Sequence, residues 1–91
     1  MFTFNSYLTA FNAGLIPPAN PVFEELSEIV YLIGDTKGLR EFESTLREER
    51  RDDGFYVENS EQIETLRESI QRNQSRLEKL ERTFVFKHIL S

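Results

Sequence analysis

The chain has 91 residues, a net charge of −5, 30% charged residues and no cysteine. A chain of this length forms one small domain at most, and it buries a smaller share of its surface than a larger domain does. Because cysteine is absent, neither a disulfide framework nor a thiolate metal site adds stability. Oligomerisation is therefore an expected source of stability.

The charge is distributed unevenly along the chain. Residues 1–36 hold no Lys or Arg, whereas residues 37–91 hold all eleven bases and twelve of the sixteen acids. The apolar start of the chain therefore lacks the basic region of a signal peptide. No stretch approaches the ~20 apolar residues of a membrane span. We expect a soluble, intracellular (cytoplasmic) protein without a membrane partner.

Breaker residues and apolar spacing predict helices within an N-terminal region. This region comprises residues 1–58, with helices at about 3–14, 21–33 and 37–52. Gly14 ends the first pattern, and Asn20 followed by Pro21 is typical of a helix N-cap and first helical position. Gly34 is expected to end the second helix. Apolar residues almost encircle the stretch 29–33, which we expect to be the most buried part of the molecule.

A long final helix is predicted from Ser60 to about Lys87, within a C-terminal region of residues 59–91 that ends in an apolar segment. Asn59 with Gln62 resembles a capping box immediately before it. The helix carries a seam at alternating three- and four-residue spacing, typical of a coiled coil. This seam comprises Ile63, Leu66, Ile70, Asn73, Leu77, Leu80 and Phe84.

The seam indicates how the chain assembles. A helix of residues 60–87 is about 40 Å long, whereas a compact domain of this size has a radius of gyration of only ~12 Å. We therefore expect part of the helix to project and to need a partner, a homodimer being favoured. Ile and Leu at the core positions favour a parallel dimer, with Asn73 fixing the register. The alternative is that the seam packs inside the monomer against residues 21–33. The predicted fold is all-α, with three to four helices, a long C-terminal coiled-coil helix and a bundle completed by oligomerisation.

A second pattern consists of basic side chains at helical spacing on the two charged helices. The candidate nucleic-acid face comprises Arg40, Arg47, Arg51, Arg72, Arg76 and Lys79. Like-charged neighbours four residues apart cost a few tenths of a kcal/mol, so this segregation exceeds what helix stability requires. Parallel basic faces suit the phosphate backbone of double-stranded RNA. The alternative is an ordinary solvated exterior.

Acidic side chains form two further groups in the sequence. They are Glu61, Glu64 and Glu68 on the final helix, and Glu41, Glu48, Glu49, Asp52 and Asp53 towards the end of the third. An acidic surface of this kind docks on a basic partner or mimics nucleic acid. A soluble exterior explains the same pattern.

The residues needed for catalysis are scarce. The chain has one histidine, His88, and no cysteine, which leaves little for nucleophile-base pairs or common metal clusters. Its four glycines are scattered at predicted breaks, which excludes a phosphate-cradling loop. We therefore expect no catalytic, cofactor-binding or metal site.

The two ends of the chain are apolar and aromatic. They either pack together, as helix or as a short strand pair, or expose a patch for a partner. The residues concerned are Phe2, Phe4, Phe86, Ile89 and Leu90.

These patterns favour a non-enzymatic, oligomeric helical protein that acts as a regulator or adaptor by binding a macromolecular partner. The alternative is a helical dimer that binds double-stranded RNA or other duplex nucleic acid, as a small sequestering protein of a virus or mobile element does. A weaker alternative is an acidic nucleic-acid mimic.

Overall fold

The computed structural model describes residues 3–53 and 56–90, with side chains described for 3–48 and 60–90. Every regular element in these residues is helical, which confirms the all-α class. The elements are α1 (Phe4–Asn12), α2 (Phe23–Asp53) and α3 (Tyr56–His88).

α1 begins and ends with local signals. The Thr3 hydroxyl accepts a hydrogen bond from the Ser6 amide at 3.1 Å, which satisfies one of the free donors of the first turn. After the helix, Gly14 has a φ of 74°, a left-handed conformation that favours glycine. Gly14 therefore ends the helical pattern where the sequence predicts it.

The start of α2 is two residues later than predicted. The Asn20 side chain accepts a hydrogen bond from the Val22 amide at 3.0 Å, and the helix begins at Phe23. Asn20 therefore caps a turn that leads into the helix. Pro21 lies in that turn and not at the first helical position.

The predicted break at Gly34 is wrong, because α2 runs continuously from Phe23 to Asp53. Gly34 has no positive φ, and the Thr36 hydroxyl donates to the Leu32 carbonyl at 2.7 Å inside the helix. Residues that face α3 continue on both sides of the glycine, with Ile29 and Leu46 buried. Packing against α3 therefore overrides the weak helix propensity of glycine, which costs about 1 kcal/mol relative to alanine.

α3 begins earlier than the sequence predicts. Its first residue is Tyr56, so the backbone of Asn59 lies inside the first turn and the proposed capping box at Asn59 is wrong. The helix continues to His88, and the C-terminal segment is therefore helical rather than extended. Lys87 and His88 lie in its last turn, where cations interact favourably with the helix dipole.

α2 and α3 form an antiparallel hairpin. Glu25 hydrogen-bonds His88, Asp35 hydrogen-bonds Asn73, and the α2 residue Glu43 pairs with Arg67, so the residue number falls on α3 as it rises on α2. The molecule measures 52 × 23 × 20 Å. The expectation that part of α3 projects beyond the rest of the chain is wrong, since α2 has a similar length and lies beside it.

The main core lies at the end of the hairpin where α1 packs. Val22, Leu26, Ile29 and Phe84 are buried there. The partly buried residues that pack on them are Phe4, Tyr7, Leu8, Phe11, Ile16, Leu77, Leu80 and Ile89. The two ends of the chain therefore pack together, as helices.

The prediction for the stretch 29–33 is correct only for its first residue. Ile29 is 1% exposed, but Tyr31 is 70% exposed and Ile33 is 43% exposed. A single partner helix covers one stripe of α2, so residues on the remaining circumference face solvent.

The continuous helix is tested by alanine at Gly34. No atom lies within 4 Å of the position a Cβ would take there. We expect Gly34→Ala to stabilise the protein by about 0.5–1 kcal/mol, because alanine is the better helix former. Gly14→Ala serves as the matched control and should destabilise by about 1–2 kcal/mol, because Gly14 is left-handed. Urea unfolding followed by circular dichroism measures both. If Gly34→Ala destabilised the protein, the result would contradict a continuous helix and favour the predicted break at Gly34.

Candidate interaction surfaces of the hairpin

The hairpin has two long sides that differ in composition. Residues advance about 100° per position on a helix, so residues two apart lie on opposite flanks and residues seven apart share a flank. Phe42 and Thr65 line one groove between the helices, whereas Arg40 and Arg67 line another. The first groove marks what we call the front side, and the second marks the back side.

On α2, the front side carries acidic and aromatic residues at helical spacing. They are Glu24, Glu28, Tyr31, Asp35 and Phe42. Tyr31 is 70% exposed and Phe42 is 53% exposed. Residues 23–36 contain no base, so this half of the front side is acidic.

On α3, the front side carries hydroxyl and basic residues. They are Thr65, Ser69, Arg72, Arg76, Lys79 and Thr83. Arg76 pairs with Glu28 of α2 at 2.6 Å, and the seam residue Asn73 of α3 hydrogen-bonds Asp35 of α2 at 2.8 Å. The front side therefore has one acidic edge and one basic edge, with contacts between them.

The structure places the predicted seam between α3 and the rest of the same chain. Ile63, Ile70 and Phe84 are buried, and the others are half-buried: Leu66, Asn73, Leu77 and Leu80. Asn73, predicted to fix the register between two copies, donates to Asp35 and so joins α3 to α2 of its own chain. A contact between copies through the buried part of this seam requires α2 to be displaced.

Five of the six candidate nucleic-acid residues have described side chains, and these five do not lie on one surface. Arg72, Arg76 and Lys79 lie on the front side, whereas Arg40 and Arg47 lie by the back groove. The side chain of Arg51 lies outside the described residues.

Several of these bases already have partners. Arg76 pairs with Glu28, and Arg47 pairs with Glu43 at 3.0 Å, while Arg72 donates to the Ser69 hydroxyl at 3.2 Å. Exposed pairs of this kind contribute about 0–1 kcal/mol each. Ion pairing therefore reduces the positive charge that each side presents.

The acidic groups are only partly described. Glu61, Glu64 and Glu68 are exposed on α3, and Glu41 and Glu48 are exposed on α2. Three further members lie outside the described side chains: Glu49, Asp52 and Asp53. Glu43 was not part of either predicted group, yet its carboxylate pairs with both Arg47 and Arg67.

His88 has an acidic partner, Glu25, which lies 63 residues away in the sequence. Its Nε2 lies 2.6 Å from Glu25 Oε2, and Lys87 Nζ lies 2.9 Å from the other oxygen. The imidazole packs against the Phe84 ring, with 4.7 Å between the ring centroids. Among the described residues, no group of three His, Asp or Glu side chains is placed to hold a metal.

The surroundings of Glu25 set its titration. Partial burial raises the pKa of the Glu25 carboxyl, but hydrogen bonds and charge from Lys87 and His88 more than offset this, and the pKa lies below its ordinary value of 4.5. The carboxylate therefore joins the start of α2 to the end of α3 in its charged form.

A separate apolar patch lies at the end of α3. Phe86 is 74% exposed in the last turn of α3, and Leu90, which is 73% exposed, lies two residues beyond the end of the helix. The basic residues Arg82 and Lys87 lie beside Phe86. We call Phe86 and Leu90 the end patch. Of the other predicted members of an apolar terminal patch, Phe4 and Ile89 pack against the core, and Phe2 lies outside the described residues.

No protein-family model, curated protein or solved structure matches the chain. Within the part of the chain that is described, no helix is long and apolar enough to cross a membrane.

The Glu25 contacts predict a specific acid dependence of stability. Because the folded pKa is lowered, the stabilisation from this carboxylate is fully present above its unfolded value of 4.5 and is lost as the pH falls through the folded pKa. We expect Glu25→Gln to be less stable than wild type at neutral pH and to lose less stability on acidification. Glu24→Gln is the matched control and should keep the wild-type dependence. Urea unfolding at a series of pH values measures this. Parallel curves for wild type and Glu25→Gln would contradict the assignment.

Proposed function

We propose that this chain is a non-enzymatic intracellular regulator or adaptor, which works as a helical oligomer and binds a macromolecular partner through the end patch. The observation that carries the proposal is the exposure of Phe86, at 74%, in the last turn of α3 and of Leu90, at 73%, just beyond it, while Phe84 of the same helix is buried. The partner that we propose is a protein.

Both side chains lose the stabilisation that burial in a core would give them. Burying a large apolar side chain fully contributes about 1.5–3 kcal/mol. Phe86 at the end of α3 and Leu90 just beyond it therefore offer apolar area that a partner would bury. Arg82, which lies beside Phe86, favours an acidic group on the partner.

Photo-cross-linking tests the end patch directly. p-Benzoylphenylalanine in place of Phe86 keeps an aromatic ring at the same exposed site. We expect a covalent adduct with a second protein in an extract of the source cells, and none from the same group at exposed Gln74. Equal labelling from both positions, or labelling of this chain alone, would contradict the proposal.

A second candidate function is binding of duplex nucleic acid, as a sequestering protein does. It is supported by Arg72 and Lys79, which lie seven residues apart on the front side and have no carboxylate partner among the described residues. The division of the five bases with described side chains between two sides, and the net charge of −5, weigh against it.

Gel shifts with duplex RNA and DNA at low and moderate salt test this alternative. Contacts to phosphates release counterions, so any real binding should weaken steeply as salt rises. On this alternative, the double variant Arg72→Ala with Lys79→Ala should abolish the shift, whereas Arg47→Ala on the back side should retain it. No shift at low salt would remove the candidate.

A further inference from the structure

We infer that the front side of the hairpin binds the front side of a second copy of this chain. In this dimer the two-fold axis runs parallel to the helices, so α2 of each copy packs on α3 of the other. The inference rests on the oligomeric part of the proposed function. It moves the contact between copies from the Ile63 to Phe84 seam to the front side.

The front side is exposed in the single chain, whereas the seam is not. Ile63, Ile70 and Phe84 are at most 8% exposed within one chain, so the seam contacts α2 already. The front side, by contrast, leaves Tyr31 at 70% and Phe42 at 53% exposed. Aromatic side chains are enriched at protein interfaces because they add large contact area at low entropic cost. The two rings are separated by about 16 Å along the helix, which is three turns.

The charges on the two edges of the front side select the orientation of the two copies. The α2 edge of the front side carries Glu24, Glu28 and Asp35, and the α3 edge carries bases and hydroxyls. A two-fold axis parallel to the helices places each acidic edge on a basic edge, twice. An axis perpendicular to the helices places α2 on α2 and α3 on α3, so that edges of like charge meet. Juxtaposed like charges disfavour that arrangement.

Residues of α2 and α3 at the same height along the hairpin axis can be matched from their contacts, and we call such residues level. Asp35 is level with Asn73, since the two are hydrogen-bonded at 2.8 Å. Four residues earlier on α2, Tyr31 is level with residue 77 and within one turn of Lys79. The parallel axis keeps these levels, so the Tyr31 ring of each copy faces Lys79 of the other. An ammonium over an aromatic face is a favourable contact.

One long side of the hairpin is large enough for a stable interface. The molecule is 52 Å long and 20–23 Å across. A stable interface buries about 800 Å² per partner, and one long side of a body with these dimensions is large enough to supply it. The parallel axis also places both end patches at the same end of the dimer. Two adjacent patches would allow bivalent capture of a partner.

Molar mass in solution tests the surface. We expect light scattering after size exclusion to give twice 10.7 kDa for the wild type. Tyr31→Glu combined with Phe42→Glu should give the monomer while circular dichroism stays helical. Leu15→Glu is the matched control, since Leu15 is 74% exposed in the linker between α1 and α2, and it should remain dimeric. A monomeric wild type, or a dimer that the double variant leaves intact, would overturn the inference.

Engineered cysteines test the orientation, since the natural chain has none. Tyr31→Cys protein mixed with Lys79→Cys protein should form the mixed disulfide on mild oxidation. Tyr31→Cys mixed with Phe42→Cys should not form one. Cross-linking of the second pair instead of the first would indicate the perpendicular axis and overturn the inference.

The two proposals fail separately. A monomeric chain that still forms an adduct from position 86 would overturn the dimer and retain partner binding. A dimer that forms no adduct from position 86 would overturn partner binding through the end patch and retain the dimer.

Discussion

Phe84 is 1% exposed and lies where all three helices meet. The rings of Phe4 and Tyr7 from α1 pack edge-on against it, at centroid distances of 5.8 and 5.0 Å, and Leu26 of α2 belongs to the same buried cluster. A chain of this length buries little surface in total, so one such contact is a large part of its apolar stabilisation. The remaining α2–α3 contacts extend from this end along the hairpin.

Polar pairs along the hairpin contribute specificity more than stability. Asp35 with Asn73 and Glu43 with Arg67 lie on partly exposed surface, where such contacts contribute about 0–1 kcal/mol. Their spacing fits one alignment of α3 against α2, so a shift by one turn would break them together. The apolar stripe therefore holds the helices together, and the polar pairs fix their register. The register that these pairs fix places the acidic edge of α2 beside the basic edge of α3 on the front side.

The sequence predicts local features well and distant pairings poorly. The α3 seam follows from apolar spacing, and Gly14 ends α1 as expected because a left-handed glycine is a local requirement. The break predicted at Gly34 is wrong, because the helical conformation of this residue depends on packing against α3. The contact of Glu25 with His88 spans 63 residues, and no local pattern indicates it. Helical spacing likewise places bases on a flank of each helix but does not say which flanks adjoin, and the bases of α2 with described side chains lie on the side opposite Arg72, Arg76 and Lys79.

Alanine at Phe84 and at Phe86 tests the central claim most directly, because the two phenylalanines lie two residues apart in one helix and differ in exposure, 1% against 74%. The measurement is the free energy of unfolding in urea at one protein concentration. We expect Phe84→Ala to lose about 3–5 kcal/mol, or to unfold the chain, because it removes a buried ring. Phe86→Ala should change stability by less than about 0.5 kcal/mol. Equal losses, or a larger loss for Phe86→Ala, would contradict a fold built on the burial of Phe84.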